Sequence, residues 1–470
     1  MDERIRRFLR EREEDLLEDI LRLVAVPSVS TDRPAARRAL AAFLETARGY
    51  GLAVSTGAGG DVGIAEYGPG LPEDAETLGI LAHVDVVDPG NPAAWTRNPW
   101  GQRADGALWG RGTQDDKGPL VMCLHAVRGI AESGLRVRRR VRFVVGTMEE
   151  IDWADLRAWL AEPGCRPPDY GFTPDGEFPV IYAENGYCDA WLSFPREASG
   201  RAGSFTLESL EAGTSINSVP DSARAVLSGP GVRTAARAAL DASGPPVREA
   251  VSLMPGPDDR VEVSARGRAA HSSTPERGDN ALARLCTSLS GIGSWGPADF
   301  ILRALDGGRP AEDLAVLAGG KDPGEDLPGP TVVSPDMAAS DEKAFTLGIN
   351  LRTAWGLGLG DLESAFSAAA RSYGFTFRLE SFLPAVYVPA DRPHMKSLLR
   401  AYRTVTGDPG GFIRVPGSSY AKALPNHVAF GPILPGMPDL CHQADERMTL
   451  KEIRTCTEIY AEAIGSLLLE

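Results

Sequence analysis

The sequence predicts an α/β protein with a second, α+β domain inserted into the first one. Two changes in the pattern of apolar residues support this prediction. Residues 1–187 alternate short apolar runs with helix-like segments, which is typical of an α/β sheet. Residues 188–385 contain strands that alternate polar and apolar side chains, and residues 386–470 return to helices and short apolar runs. The first and last ranges are therefore predicted to form one domain and the middle range the other.

In the first range, two short apolar runs are predicted to be buried strands, LGILAHVDVV at 78–87 and VRFVVGTM at 141–148. The segment at 118–133 predicts a helix between them, because its apolar residues recur at helical spacing. Residues 1–28 are charged throughout, yet their apolar residues fall on one helical face. An amphipathic helix is therefore expected at the N-terminal end.

The middle range begins with segments such as YCDAWLSF, GSFTLESL and ARAVLSG, whose alternation indicates strands with one exposed face. A helix is predicted at 279–292, and a further strand at 345–357 is followed directly by another helix. In the last range, 394–407 and 449–468 are predicted helices, with a strand at 427–433 between them. These elements complete the prediction for the two domains.

Composition and charge exclude several classes of function. The chain has 470 residues, a formal net charge of −15 and 43% hydrophobic residues, and without a basic excess it is not expected to bind nucleic acid. No run reaches the ~18 consecutive apolar residues of a membrane span. The charged N-terminal segment lacks the apolar core of a signal peptide, and the six cysteines form no CxxC pair. We therefore expect a soluble, cytoplasmic protein with reduced thiols and no membrane partner.

Acidic residues and histidines follow several of the predicted strands. In an open α/β sheet, ligands bind beyond the carboxyl ends of the strands, so these side chains are candidates for one site. Together they offer two imidazoles and several carboxylates, a donor set suited to zinc, manganese or cobalt. The candidate residues are His83, Asp85, Asp115, Asp116, Glu149, Glu150, Asp175, His442 and Glu446.

The spacing within these segments has a chemical reason. Asp85 can accept a hydrogen bond from the ring nitrogen of His83 that holds no metal, which fixes the tautomer of the imidazole. In the adjacent pair Glu149 and Glu150, one carboxylate can bind a metal while the other stays available as a base. Two neighbouring metals need a bridging carboxylate, and Asp115 is placed for that role.

Each segment alone also fits an ordinary structural role. A single histidine after a strand is commonly structural, and an aspartate such as Asp116 caps helices well. A pair of glutamates is common on exposed surfaces. A shared site is favoured because all of the segments occur together, in order, and mostly at the ends of apolar runs.

Six longer blocks extend from His83 to Met448, and five of them contain these residues. The blocks are HVDVVDPG, LWGRGTQDDKGP, GTMEEID, PDGEFPVIYAENG, AHSSTPERGDNA and CHQADERM. In this order they resemble the M20 family of metallopeptidases, and most closely its PepV-like dipeptidase branch. Several long blocks in the right order make the resemblance specific, and it covers nearly the whole chain.

The resemblance implies a zinc-peptidase-like catalytic domain, with a mixed β-sheet flanked by helices, and an inserted α+β lid domain. It also implies two divalent metal ions, with zinc expected and manganese or cobalt as alternatives. His83 and Asp175 would hold one ion, Glu150 and His442 the other, and Asp115 would bridge both.

In the same resemblance, two further residues support the chemistry. Glu149 would be the general base that takes a proton from a water bridging the two metals. Asp85 would contact the ring nitrogen of His83 that faces away from the metals. The bond between Asp115 and Asp116 is often cis in relatives.

The resemblance also assigns residues of the lid and of a Gly-rich loop. His271 corresponds to a histidine that stabilises the oxyanion of the reaction, and Asn217 to an asparagine near the same oxygen. Arg352 corresponds to an arginine that pairs with the terminal carboxylate of the substrate, although a single arginine in a strand also fits a surface ion pair. Ser418 and Ser419 lie in the loop that lines the substrate pocket, where relatives commonly have Gly and Thr.

The function that the resemblance implies is hydrolysis of dipeptides or short peptides by a metal-dependent dipeptidase. The long inserted domain favours a monomer, with a homodimer as the alternative. A second hypothesis is an M20-type amidohydrolase that removes an N-acyl or aminoacyl group from a specialised small molecule. A third hypothesis is a non-catalytic metal-binding or peptide-binding protein with the same fold. The presence of all five predicted metal ligands and of the predicted base argues against it.

Overall fold

The chain divides into two compact units. The computed structural model describes residues 1–306, 308–318 and 329–469. The first unit consists of Met1–Ala183, Val388–Arg414 and Ser419–Glu470, and the second of Glu184–Tyr387 and Val415–Ser418. The long segment of the second unit begins and ends within a few residues of the predicted boundaries at 188 and 385. The short segment at 415–418, which the sequence assigned to the last range, packs with the second unit.

The structure has helices at every position where the spacing of apolar residues predicts one, and further helices at 33–49, 154–160, 196–199, 232–242, 245–250 and 296–304 that were not predicted. One predicted helix differs, at the N-terminal end. Two helices replace the single predicted one, because Arg12 leaves the helical conformation at φ −112° and ψ 20°. In the described residues the helices are α1 (Glu3–Glu11), α2 (Glu13–Val24), α3 (Arg33–Gly49), α4 (Lys117–Glu132), α5 (Ala154–Leu160), α6 (Arg196–Ser199), α7 (Val232–Ala242), α8 (Pro245–Ala250), α9 (Ala281–Ser290), α10 (Gly296–Ala304), α11 (Leu359–Tyr373), α12 (Pro393–Thr406) and α13 (Leu450–Leu469).

Each apolar run that was predicted to be a buried strand contains a strand in the structure. The strands of the described residues are β1 (Ala53–Gly57), β2 (Val62–Tyr67), β3 (Thr77–His83), β4 (Gln102–Ala104), β5 (Ala107–Trp109), β6 (Arg140–Gly146), β7 (Tyr170–Thr173), β8 (Val180–Glu184), β9 (Tyr187–Pro195), β10 (Arg201–Ala202), β11 (Phe205–Ala212), β12 (Ser222–Ser228), β13 (Val251–Pro255), β14 (Arg260–Arg266), β15 (Leu305–Asp306), β16 (Arg309–Pro310), β17 (Val332–Ser340), β18 (Ala344–Arg352), β19 (Thr376–Leu383), β20 (Val386–Tyr387), β21 (Phe412–Val415), β22 (His427–Ala429) and β23 (Arg447–Thr449).

Parallel strands form the centre of the sheet in the first unit. The strands lie in the order β1-β2-β6-β3-β7-β22-β8. The four central strands from β6 to β22 run parallel to one another, whereas β1, β2 and β8 are antiparallel to their neighbours. Every residue of β3 is buried, as expected for a strand with both faces covered.

Helices flank this mixed sheet. α4 packs against α1, α2 and α13, and α12 packs against α13. α3 lies against β1 and β2. The first fourteen residues of α4, from Lys117 to Ile130, are all buried. Because α4 is buried along nearly its whole length, it is a central element of this unit.

The second unit is an α+β domain built on one antiparallel sheet. Its strands lie in the order β13-β14-β12-β11-β17-β18-β9-β19, and all neighbouring pairs are antiparallel. Apolar residues of the strands pack with those of α7, α9, α10 and α11 into a separate core, which includes the fully buried Leu192, Leu285 and Phe366. The predicted fold class, an α/β domain with a mixed sheet and an inserted α+β domain, is confirmed.

The described helices and the cysteines also bear on the predictions from the sequence. No helix within the described residues is both long enough and apolar enough to cross a bilayer. All six cysteines lie in described parts of the chain, and each has a free thiol.

Candidate metal centre

Three parallel strands bring predicted residues to one edge of the sheet in the first unit. β3 pairs with β6 so that His83 lies opposite Gly146, and β7 lies on the other side of β3. Because the carboxyl ends of parallel strands meet at the same edge, the segments that follow them are neighbours. Asp85 follows β3, Glu149 and Glu150 follow β6, and Asp175 follows β7.

One group of possible ligands consists of His83, Asp115 and Asp175. Nε2 of His83 lies 2.9 Å from Oδ1 of Asp115 and 3.8 Å from Oδ2 of Asp175. One donor atom from each of the three residues lies within 4.8 Å of the other two. An imidazole nitrogen and two carboxylate oxygens at these separations could hold one divalent cation.

A second group consists of Asp115, Glu150 and His442. Nε2 of His442 lies 3.0 Å from Oδ2 of Asp115 and 3.1 Å from Oε2 of Glu150. His442 is exposed and has a φ of 62°, a conformation that residues other than glycine rarely adopt. Such backbone strain is concentrated at functional sites. Asp115 belongs to both groups, and each of its oxygens faces a different histidine.

Two of these donor atoms have no hydrogen-bond partner among the described residues, and their chemistry suits a divalent cation. In the described part of the chain, Nε2 of His83 and Oδ1 of Asp115 are buried and have no hydrogen-bond partner. Buried polar atoms are nearly always paired in native proteins, so two unpaired atoms that face each other indicate a place for a ligand. Histidine nitrogens and carboxylate oxygens suit zinc, manganese and cobalt. The residues present therefore fit the two cations that the sequence predicts.

The charges of the groups lead to the same interpretation. Burial, together with the charge of Asp115, raises the pKa of Asp175 to about 8 and also raises the pKa of Glu150. Burial lowers the pKa of His442, but hydrogen bonds to Asp115 and Glu150 outweigh it and raise this pKa to about 11. Crowded, buried carboxylates disfavour their own ionisation. Cations at this position would remove that penalty.

Asp85 lies beside the ring of His83, as predicted, and its carboxylate also contacts the backbone after β6. Nδ1 of His83 lies 3.0 Å from the backbone oxygen of Asp85 and 3.5 Å from its Oδ1, so the closer partner of the ring is the carbonyl. The two carboxylate oxygens accept the backbone N–H groups of Glu149 and Glu150, each at 3.2 Å. Asp85 therefore fixes the residues after β6 relative to the end of β3.

Glu149 lies beside both groups and belongs to neither. Its backbone is held by Asp85 and by Nε1 of Trp153, which donates to its carbonyl oxygen at 2.8 Å. Among the described residues its carboxylate forms no hydrogen bond. Burial raises the pKa of Glu149 well above its usual range, and the nearby charge of Asp175 adds to this rise although His83 opposes it. A half-buried carboxyl with a raised pKa is suited to accept and return a proton.

Glu446 anchors the loop that carries Asp115, although the sequence offered it as a possible ligand. Its carboxylate accepts from Arg111 at 2.5 Å and from the backbone of Gly112 and Gln114 at 3.0 and 2.8 Å. The side chain of Gln114 in turn donates to the carbonyl of Arg447 at 3.0 Å and accepts from the backbone of Leu440 at 2.8 Å. These hydrogen bonds connect the segment of Asp115 to residues that come before and after His442 in the sequence. The peptide bond that follows Asp115 is cis.

Asp155 and Tyr420 support the loop after β6, and sequence reasoning missed both. Oδ2 of Asp155 accepts the backbone N–H groups of Thr147 and Met148 at 2.7 and 3.0 Å, and the hydroxyl of Tyr420 at 2.9 Å. The ring of Tyr420 meets the imidazole of His83 edge-on, with centroids 6.1 Å apart. No sequence signal marks either residue, since an aspartate at a helix start is ordinary.

Three predicted residues belong to the second unit. There His271 forms an antiparallel bridge with Ser218, and the N–H of Ser272 donates to the carbonyl of Asn217 at 3.0 Å. Arg352 is 5% exposed, so it does not form the surface ion pair that a strand arginine also fits. Its Nε donates to Oδ1 of Asn350 at 3.0 Å.

Ser418 and Ser419 are adjacent in sequence but belong to different units. Oγ of Ser419 accepts the N–H of Ala421 at 3.4 Å and so caps the helical turn Tyr420–Ala423 of the first unit. The buried Oγ of Ser418, in the second unit, has no hydrogen-bond partner among the described residues. This hydroxyl could therefore bind a ligand.

Known proteins resemble this chain over most of its length. The model of peptidase family M20/M25/M40 matches residues 79–466. The Beta-Ala-Xaa dipeptidase of Lactobacillus delbrueckii subsp. lactis is 30% identical, over 83% of this chain and 82% of the relative. Human carnosine dipeptidase 1 has a similar fold, with a TM-score of 0.58 at 14% identity over 98% of each chain. So does the aminoacylhistidine dipeptidase of Vibrio alginolyticus, with a TM-score of 0.59 at 15% identity over 96% of each chain.

Proposed function

The chain belongs to peptidase family M20/M25/M40, and we propose from this membership that it is a metal-dependent dipeptidase. Its family makes it an enzyme that hydrolyses peptide bonds. The proposed substrates are dipeptides and short peptides with a free amino end.

The observation that carries the proposal is the pair of ligand groups that share Asp115. His83, Asp115 and Asp175 would hold one divalent cation, and Asp115, Glu150 and His442 would hold a second. Donor atoms of each group lie within 4.8 Å of one another. This arrangement supports a two-metal centre of the kind that hydrolytic enzymes use.

The proposed mechanism depends on proton transfer by Glu149. What the cations supply when bound is a lower pKa for the attacking water and a polarised peptide carbonyl. A carboxylate oxygen of Glu149 takes a proton from the water as the water oxygen forms a bond to the carbonyl carbon. The same oxygen returns the proton to the peptide nitrogen as the C–N bond breaks, which releases an acid and an amine. Asp85 and Trp153 hold the backbone of Glu149 during both transfers.

Residues of the second unit are proposed to bind the substrate. His271 would donate a hydrogen bond to the oxyanion, with Asn217 close to the same oxygen. Arg352 would pair with the terminal carboxylate, to which a guanidinium donates two parallel hydrogen bonds. Ser418, whose hydroxyl is unpaired in the described structure, and Ser419 would line the pocket.

The identity of the metal, the state of assembly and the compartment complete the proposal. We propose zinc, with manganese or cobalt as alternatives, and the donor set suits all three. We propose a monomer, with a homodimer as the alternative, because the inserted domain is long. The six free thiols support a reducing compartment such as the cytoplasm.

A metal-dependent substrate screen tests the proposal. The purified protein is stripped with a chelator, reloaded with zinc, manganese or cobalt, and assayed on dipeptides, tripeptides and N-acyl amino acids. The dipeptide panel includes β-alanyl and aminoacyl-histidine members, because two of the similar proteins are named for such substrates. We expect dipeptide hydrolysis that disappears on chelation and returns on reloading. A preference for N-acyl amino acids would indicate an amidohydrolase instead, and metal binding without hydrolysis of any compound would indicate a binding protein.

A further inference from the structure

A row of polar side chains crosses the centre of the sheet in the second unit. On β18, Asn350 lies opposite Ser334 of β17 and opposite Asp189 of β9. The neighbouring residues Leu351 and Cys188, which point to the other face, belong to the hydrophobic core. Asn350 is 1% exposed and Asp189 is 7% exposed. Buried polar groups are costly unless they are paired, so the partners of this row decide what it does.

The side-chain amide of Asn350 has one orientation, because its nitrogen faces an acceptor and its oxygen faces a group that can only donate. Its Nδ2 donates to Oδ1 of Asp189 at 2.9 Å. Its Oδ1 accepts from Nε of Arg352 at 3.0 Å, and an arginine nitrogen can only donate. The other oxygen of Asp189 accepts the hydroxyl of Tyr187 at 2.8 Å, and the guanidinium of Arg352 stacks 4.7 Å from the centre of the Tyr187 ring.

The same amide oxygen also holds the loop that carries His271. The hydroxyl of Ser272 donates to Oδ1 of Asn350 at 2.9 Å, and Ser272 is 1% exposed. The backbone N–H of Ser272 donates to the carbonyl of Asn217 at 3.0 Å. Nδ1 of His271 lies 2.6 Å from the hydroxyl of Ser273 and 3.2 Å from its N–H, which donates to it. The ring of His271 is therefore held to this loop through Nδ1.

We propose that Asn350 is a positioning residue that holds the His271 loop and Arg352 in one arrangement, with Asp189 fixing the orientation of its amide. The inference rests on the proposed function, in which His271 contacts the oxyanion and Arg352 the terminal carboxylate. A single oxygen that binds both segments sets the spacing between the two substrate contacts. It therefore links recognition of a free carboxylate to turnover.

The proposal is tested by substituting Asn350 with aspartate and Asp189 with asparagine, first singly and then together. N350D places two carboxylates at a contact of 2.9 Å and is expected to raise KM and lower kcat for unblocked dipeptides, each about tenfold or more. D189N should change either constant by less than about threefold, because an asparagine oxygen still accepts from Asn350. In the double variant D189N/N350D, Nδ2 of the new asparagine donates to the new carboxylate, and both constants should return to within about threefold of wild type. N91D, which adds the same charge to an exposed turn, is the matched control.

The ratio of activity on free and amidated dipeptides separates positioning from a general loss of stability. N350D should reduce the preference for the free carboxylate, and the double variant should restore it. Unchanged constants in N350D, or a double variant no more active than N350D, would contradict the proposal. If N350D does not fold, the double variant must still fold and keep both constants within about threefold of wild type; a larger loss counts against the proposal.

A readout without substrate keeps this inference separate from the proposed function. If the wild-type protein hydrolyses no dipeptide, the proposed function fails, and nitrogen NMR signals of Arg352 Nε and the His271 ring decide the inference. Both signals should shift in N350D and return in D189N/N350D. Signals that stay at their wild-type positions in N350D would overturn it.

Discussion

Nε2 of His83 and Oδ1 of Asp115 face each other at 2.9 Å in the interior of the first unit. The second oxygen of Asp115 lies 3.0 Å from Nε2 of His442. One carboxylate therefore connects two histidines that come from distant parts of the chain, and Asp175 and Glu150 complete a group on each side of it. Cations held beside the two histidines would be shared through Asp115.

Glu149→Gln tests the assignment of the base. Glutamine has the size of glutamate but cannot take up a proton, so we expect kcat to fall by about a thousandfold. The metal content should not change, because Glu149 belongs to neither ligand group. Steady-state kinetics and metal analysis check both parts, and Glu45→Gln on the exposed side of α3 is the matched control. A kcat within about twofold of wild type would refute the assignment.

Asp85→Asn tests the link between the ends of β3 and β6. An asparagine has one acceptor oxygen, whereas Asp85 accepts from the backbone of both Glu149 and Glu150. The amide group would leave one of these N–H groups facing a donor, and we expect turnover or metal affinity to fall by about 10- to 100-fold. Asp88→Asn, in an exposed turn where Asp88 accepts from Gly90 at 2.7 Å, is the control. Equal behaviour of the two variants would show that Asp85 is not needed for the site.

The stability of the first unit should fall below neutral pH because of two buried histidines. Burial lowers the pKa of His427 to about 4 and that of His394 to about 4, from an ordinary value of 6.5. Nε2 of each ring is buried without a hydrogen-bond partner among the described residues. The unfolded chain therefore binds more protons between pH 6.5 and 4, and the stability that is fully present above pH 6.5 is lost as the pH falls toward 4.

Urea unfolding of His427→Asn at pH 8 and pH 5 measures this effect. At pH 8 both histidines are neutral in either state, so that measurement gives the pH-independent cost of the substitution. Between the two pH values, the variant should lose less stability than the wild type by an amount on the order of 2 kcal/mol. The same loss in both proteins would mean that His427 is not kept neutral by burial.

Much of the fold could be predicted from the sequence because apolar spacing reports directly on burial. β3 and β6 are continuous apolar runs, and α4 has a helical pattern, so their positions could be derived from local sequence. The break at Arg12 could not, because charged residues on both sides of it suit one long helix equally well. Nor could the packing of 415–418 with the second unit, which depends on contacts far along the chain.

At the site, residue types could be predicted but not their partners. The positions of His83, Glu150 and Asp175 after apolar runs indicated a common edge. That the carboxylate of Asp85 also accepts from two backbone amides could not be predicted, because this depends on the distance between β3 and β6, which the sequence does not contain. Asn350 was missed for the same reason, since its partners come from other strands and from the loop after His271.

Metal content tests the shared centre most directly. Wild-type protein and Asp115→Asn are saturated with zinc, dialysed and analysed for bound metal, with Asp105→Asn at an exposed turn as the control. We expect about two zinc ions per chain in the wild type and the control, and well below one in Asp115→Asn, because both groups lose a ligand. A wild-type protein that binds no zinc, or a variant that keeps the full content, would contradict this expectation.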